Sequence, residues 1–524
     1  MNSPAPSTLP TSASHTANMG DPQYMKFPDL RLAQSVFTLA SPSTSSSAKQ
    51  TSLTALQDAI REHKMAPLYH YLAHPQTGKL NATGESASSQ KASSAAPVPS
   101  LRRTSSINTT SIIGVLGGFK QTGGADLPWD EKLYESMKRE NEEELAAIQK
   151  EEDEAAEREG DTEVNTARGK RAELYARIGD KEKALEAFEK LLEKTGILAS
   201  KIDIVLAIIR IAMFFDDKTL VKKSVERCQA LVESGGDWDR RNRLKAYQGL
   251  HLIAIRSHAA AAPLLLDSLS TFTATELCSY SNLVVYAVLA GSVALPRRDF
   301  KSRVVDAPEI RAIVGSEDSN ERIAGLSGAV SSHPSAGTDT SAMDVDTTQA
   351  TSATPKPAVV NLTTLNSGSG EQDKAEPEID FSPLAQMIRS LYSGHYQNFF
   401  RSLSSVETQF LAQDRYLYEH RRWYVKEMRL RAYAQLLQSY KVVGLESMAQ
   451  SFGVSVDWLD RDLAPFIASN RLPCTIDRVK GVIETQRAGD KNKQYTDVVK
   501  QGDQLITKLQ KYGQVVRLRG SERT

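Results

Sequence analysis

Through most of the chain, apolar positions recur every three or four residues, which predicts helices packed side by side rather than strands. Two runs are apolar nearly all round: DIVLAIIRIAMFF (residues 203–215), interrupted by Arg210, and NLVVYAVLAGSVAL (282–295). A helix without a polar face belongs in an interior. Both runs fall short of the ~20 residues that a membrane span needs. Residues 53–72 carry helix-spaced apolar positions that end before Pro75. Residues 130–159 read as a long helix with acids in excess, laced by neighbouring Glu and Lys or offering an acidic docking face.

In residues 172–196, AELYARIGDKEKALEAFEKLLEKTG, the positions Ala172, Tyr175, Ala184 and Phe188 stand where two antiparallel helices interlock small and large side chains. Gly179-Asp180 supplies the turn. The stretch resembles a tetratricopeptide unit, degenerate because Gly196 replaces the usual closing proline. Gly249, Ala261 and Leu265 repeat the small–small–large spacing, and residues 203–232 supply another helix pair between the two. One such unit cannot bury its own apolar face, so stacked pairs in a right-handed α-solenoid are expected.

Between the repeats lies GGDWDRRNRLKAYQGL (235–250). Gly235-Gly236 closes one helix, and Asp237 is a suitable N-cap for the next. Leu244, Tyr247, Leu250 and Ala254 form its apolar stripe, leaving Arg240, Arg241, Arg243 and Lys245 largely off it. Those cations are candidates for pairing inside the solenoid or for contact with an acidic neighbour.

Beyond residue 440 the pattern changes. Residues 445–485 read as a short helix, a turn at Gly453, a second helix capped by Ser455, and two extended runs at 472–476 and 479–484. Helix, turn, helix and two-stranded wing make a winged helix. In the last segment Val498, Gly502, Leu505, Leu509, Tyr512 and Val516 follow a 4-3-4-3-4 spacing. That is one seam of a coiled coil, and a lone terminal helix needs partner helices to cover it.

Three stretches lack enough apolar surface to offset the ~1–2 kcal/mol of backbone entropy per ordered residue. The predicted organisation is therefore a disordered 1–20, a helical segment 21–76, a low-complexity linker 77–125 and helical repeats 126–314. A disordered insertion 315–378, helices 379–440, the winged helix 441–488 and the terminal helix 489–524 complete it. Removing the insertion brings EIRAIVG beside DFSPLAQMIRSLY, so it is expected to loop out of a helical hairpin. The fold class is mainly α.

Charge and chemistry narrow the function. Lys+Arg and Asp+Glu both number 64 in 524 residues, so no global positive field exists to hold a polyphosphate. Winged helices often read DNA. Here the second helix, SVDWLDRDLAPFIAS, sets Asp457, Asp460 and Asp462 against Arg461, and Arg471, Arg478 and Lys480 of the wing compensate only in part. Cys228, Cys278 and Cys474 are far apart, which fits a reducing, intracellular setting and argues against disulfides or thiolate zinc. The first 20 residues contain no hydrophobic run, so no secretory signal is read there. No phosphate loop or nucleophile elbow is present, since GVLGGF (114–119) lacks the Lys-Ser/Thr ending. His70 and His74 share a helix face without a third ligand and read as packed or solvated. Neither an enzyme nor a cofactor is expected. LRRTSSI (101–107) offers Ser105 to a basophilic kinase.

Helical repeats running into a winged helix resemble the PCI module, which is shared by the proteasome lid, the signalosome and a translation initiation factor. DLRLAQSVF, MAPLYHYL, NEEELAAI, RIGDKEKALEAF, ESGGDWDRRNRLKAYQGL, STFTATEL, YVKEMRLRAYAQLLQSY, MAQSFGVSV and RLPCTIDRV closely resemble one family of lid subunits, that of the seventh non-ATPase subunit. The signalosome's first subunit is the nearest paralogous group. The resemblance implies a scaffold without catalytic residues, present in cytoplasm and nucleus. In that family winged helices join edge to edge, terminal helices gather in one bundle, and the solenoid reaches towards the ATPase ring and core particle. It makes Val498, Leu505, Leu509, Tyr512 and Val516, the wing residues Arg471 and Arg478, and Arg240, Arg241 and Arg243 the candidate partner-binding residues. Nucleic acid and membrane are not expected partners.

Overall fold

A computed structural model describes residues 26–75, 78–80, 112, 127–158, 161–314, 380–485 and 490–521. The predicted disorder of 1–20 lies outside these residues. So do Ser105, the whole of the predicted insertion 315–378, and most of the predicted linker.

The chain opens with α1 (Leu30–Ala40), α2 (Ser46–Glu62) and α3 (Ala66–Ala73). Asp29 caps α1 by accepting from the Arg31 amide at 2.8 Å. The single helix expected over 53–72 is interrupted, because Lys64 adopts a φ of 52° between α2 and α3. Its carbonyl, turned out of the helix ladder, accepts from Asn141 at 2.8 Å instead. Of the predicted linker only residues 78–80 and 112 are described, and Leu80 and Ile112 among them are buried against the hydrophobic core.

Next come α4 (Glu131–Glu157), α5 (Asp161–Ile178) and α6 (Lys181–Lys194). Some of the acids of α4 are answered by the neighbouring helix: Glu152 pairs with Arg168 at 2.9 Å and Arg171 at 2.8 Å, and Glu144 with Arg177 at 2.5 Å. Gly179 turns the chain between α5 and α6 with a φ of 83°, and Asp180 caps α6. A Cβ at Gly179 would stand 2.9 Å from Leu68, so α3 rests directly on this turn.

The stacking continues through α7 (Leu198–Phe214), α8 (Lys218–Gly235), α9 (Trp238–Ala254), α10 (His258–Ser268) and α11 (Tyr280–Ala294). The two all-apolar runs are α7 and α11, and both are buried over most of their length. The α9–α10 pair interlocks as its spacing requires, since a Cβ on Gly249 would sit 2.6 Å from Leu265.

After α12 (Arg297–Phe300) and α13 (Pro308–Val314), the chain returns as α14 (Ser382–Ser393) and α15 (Tyr396–Val406). Helices α13 and α14, which flank the predicted insertion, contact each other. Then α16 (Arg421–Ser439) leads into β1 (Val442–Gly444), α17 (Leu445–Phe452), α18 (Val456–Ala468), β2 (Cys474–Asp477) and β3 (Val482–Thr485), and the description ends with α19 (Asp490–Ser521). Helix α1 reaches across to the later part: Gln34 Nε2 donates to the Gln413 carbonyl at 2.6 Å, and Phe37 meets Tyr418 edge-on.

Candidate assembly surfaces

The winged helix is built as its sequence requires. Gly453 turns α17 into α18 with a φ of 68°, and Ser455 accepts from the Trp458 amide at 3.3 Å. Phe452, at the end of α17, stacks on Tyr396 at 4.6 Å and meets Tyr433 edge-on at 5.0 Å. These aromatics anchor the module on α15 and α16. The sheet has three strands in the order β1-β3-β2, both pairings antiparallel, with Val443 and Ile476 each opposite Ile483. Strand β1 was not expected. It is three residues long and follows α16 almost directly, and its only signal was the Val-Val-Gly that ends in an N-terminal neighbour for α17.

The acids of α18 are largely neutralised within the chain. Asp462 accepts from Tyr433 at 2.8 Å and pairs with Arg429 at 3.2 Å. Asp460 pairs with Arg478 at 2.7 Å. Arg471 grips Glu427 with two bonds of 2.6 Å. The two wing arginines therefore brace the module: Arg471 ties the segment after α18 to α16, and Arg478 ties the wing turn to α18. At the tip of that turn, Asp477 Oδ1 accepts from the amides of Val479 and Lys480, and the Val479 side chain is 98% exposed.

Helix α19 is different. Val498, Leu505, Leu509, Tyr512 and Val516 are between 61% and 69% exposed, each on the predicted seam. Tyr495, Val499, Ile506 and Val515 are also at least half exposed and widen that seam into a stripe. A heptad spacing of a/d positions alone does not include these four, although the same helical wheel places them alongside.

Of the three arginines of α9, two are drawn into the solenoid and one is left outside. Arg240 and Arg243 are buried, not off the packed face. Arg240 donates to both Asp203 oxygens at 2.9 and 2.6 Å, and to Asp237 at 2.5 Å. Asp237 stands at the N-cap position but makes no side-chain cap bond, because its carboxylate faces Arg240. Arg243 pairs with Glu276, which also accepts from the buried Tyr247 hydroxyl at 2.9 Å. Arg241 is exposed and donates to the Gly236 carbonyl at 2.9 Å. The reason is positional: residues 240 and 243 lie one turn apart on the side of α9 that faces α7 and the α10–α11 connection. Their long side chains cross the seam to acids there.

His70 and His74 lie 4.5 Å apart, ring to ring, against Trp129. Burial, with His74 adding to it, pushes the His70 pKa down and favours the neutral ring. Among the described residues no cluster of three or more His, Cys, Asp or Glu side chains could hold a metal, and no helix is long and apolar enough to cross a membrane.

Comparison with known proteins falls on these same regions. Residues 494–516, the exposed stripe of α19, match the family described as "26S proteasome regulatory subunit RPN7/PSMD6 C-terminal helix". Residues 401–487 match "PCI domain" and residues 130–303 match "26S proteasome subunit RPN7". The "26S proteasome regulatory subunit rpn7" of Schizosaccharomyces pombe is 36% identical across 94% of this chain and 97% of its own length. The chain belongs to the RPN7 family of 26S proteasome regulatory subunits. The RPN7 relative of Saccharomyces cerevisiae is 33% identical, with 96% of each chain covered. By contrast, "COP9 signalosome complex subunit 1" of Arabidopsis thaliana is 25% identical over only 23% of this chain. The RPN7 match over 130–303 spans the solenoid from α4 to α12 and includes the buried pairs of Arg240 and Arg243.

Proposed function

We propose that the chain is a non-catalytic structural subunit of the proteasome regulatory-particle lid, acting in ubiquitin-dependent protein degradation by tying neighbouring subunits together. In this reading α19 enters a helical bundle formed with other lid subunits. The free edges of the winged-helix sheet add to a neighbour's sheet, and the solenoid reaches the ATPase ring and core particle. The partners are PCI-bearing and deubiquitinase-bearing lid subunits in a hetero-oligomer of cytoplasm and nucleus, with no role for nucleic acid, membrane or a cofactor.

The observation that carries the proposal is the uncovered stripe of α19, on a segment matching the RPN7/PSMD6 C-terminal helix. Covering five large side chains at ~1.5–3 kcal/mol each far exceeds the ~0–1 kcal/mol of an exposed ion pair. The stripe therefore outweighs Arg471, Arg478 and Arg241 in any docking. Truncation after Gln494 should abolish co-purification of proteasome subunits with the tagged chain. Recovery of an intact particle would refute this role for α19. Mass spectrometry of the full-length chain's partners should return proteasome subunits, and a signalosome set in their place would favour the paralogous assembly.

A further inference from the structure

The solenoid meets the PCI helices along a seam that carries His258 and His420. His258, the first residue of α10, is 3% exposed and stacks on Trp423 of α16 at 5.1 Å, with 12° between the ring planes. Neither of its ring nitrogens has a hydrogen-bond partner among the described residues. His420, in the turn before α16, lies 3.0 Å through Nε2 from the Ala254 carbonyl at the end of α9. A carbonyl only accepts, so that nitrogen carries the proton. His251 of α9 is buried close by.

The surroundings of these rings are cationic. Arg256, in the α9–α10 turn, lies over the Trp423 ring at 5.5 Å. From α8, Lys218 and Lys222 act on His251. Arg421 of α16 lies over Tyr418 at 4.1 Å. The acid beside His420 is Glu419, already bonded to Lys218 at 2.6 Å. Tyr424 completes the wall.

We propose that this seam is an acid-labile joint: protonating His258, with His420, separates the α9–α10 turn from the start of α16, while α16 stays held on α11 through Ser292 and Arg431. A protonated His258 would bury two unanswered N–H donors beside Arg256, a cost that stacking on Trp423 does not remove.

The direction of the pH effect follows from the same surroundings. Burial, then His420 and Arg256, push the His258 pKa down from 6.5 to about 4, while burial also lowers those of His251 and His420. In the open seam His258 regains its ordinary value, so the open state binds more protons as pH falls below about 6.5. The closed state is thus favoured at neutral pH and is progressively lost towards pH 4. For His258 alone the closed-to-open ratio falls about thirty-fold between pH 7.5 and 5.0. Asp216 and Asp414 lie nearby and titrate in the opposite sense, since burial raises both.

Hydrogen exchange of the full-length chain at pH 7.5 and 5.0, corrected for the intrinsic rate, tests the joint. Protection of amides 252–262 and 418–428 should fall by an order of magnitude or more, while α17 and α18 keep theirs. His258→Phe retains the stacking without the titration and should remove most of that fall. An unchanged seam, an equal fall in His258→Phe, or an equal loss across α17 and α18 would each overturn the proposal. Should His258→Phe fail to fold, His420→Gln keeps a donor for the Ala254 carbonyl and should remove part of the fall. A full fall in that variant would count against the joint.

Discussion

The α9–α10 hairpin and the terminal helix α19 use similar text to opposite ends. Both set a glycine in a stripe that includes Leu, Ile and Tyr. In the hairpin, a Cβ on Gly249 would stand 2.6 Å from Leu265, and the residues around it are buried. In α19 nothing lies within 4 Å of a Cβ on Gly502, and the stripe beside it is exposed. The hairpin fills its own interface. The tail carries an equivalent face that the described chain does not cover, which is the pattern of an element kept for other polypeptides. A second difference concerns charge. The hairpin commits Arg240 and Arg243 to acids across a helix seam, whereas α19 has its polar groups in solvent.

That contrast can be broken at three places. The largest effect should come from Arg243→Met, which leaves Glu276 facing Tyr247 without its cation. Removing one partner of a buried pair costs about 3–5 kcal/mol, to be read from chemical denaturation of the purified chain. A change below about 1 kcal/mol would mean that Arg243 is solvated rather than structural. Next, Gly249→Ala forces its methyl into Leu265. Overpacking of this kind costs about 1–3 kcal/mol, and the partner variant Leu265→Ala should relieve part of it in a double-mutant cycle. The smallest effect has the opposite sign. Gly502→Ala meets no neighbour and should stabilise α19 by about 0.5–1 kcal/mol in the isolated chain, seen as increased helicity by circular dichroism. If Gly502→Ala instead leaves helicity unchanged but weakens co-purification, the glycine serves close helix approach inside the bundle. That outcome would make Gly502 and Gly249 equivalent after all.

Much of this architecture was legible in advance because helical periodicity and turn residues act locally. Gly179-Asp180, Gly453 and Ser455 mark their turns and caps wherever the surrounding chain goes. The apolar runs of α7 and α11 had to be interior, because they offer water no polar face. The failures share one cause. The break at Lys64 lies inside a continuous apolar periodicity, and its carbonyl is satisfied by Asn141, 77 residues away. Strand β1 exists because β3 arrives beside it some forty residues later in the chain. Arg240 and Arg243 lie off the local apolar stripe, and which acids take them up is decided only when Asp203 and Glu276 arrive from elsewhere in the chain.

Local periodicity, caps and the uneven distribution of apolar residues determined which segments are helices, where they turn, and that the last one carries an unfilled stripe. Only the tertiary structure decided which charges are buried, which distant segments meet, and how His258 and His420 come together at the seam between solenoid and α16. The physical reason is range. A helix turn is settled by neighbours three or four residues away, but an ion pair or a stacked ring depends on partners that the sequence separates by tens to hundreds of residues, as His258 and Trp423 do.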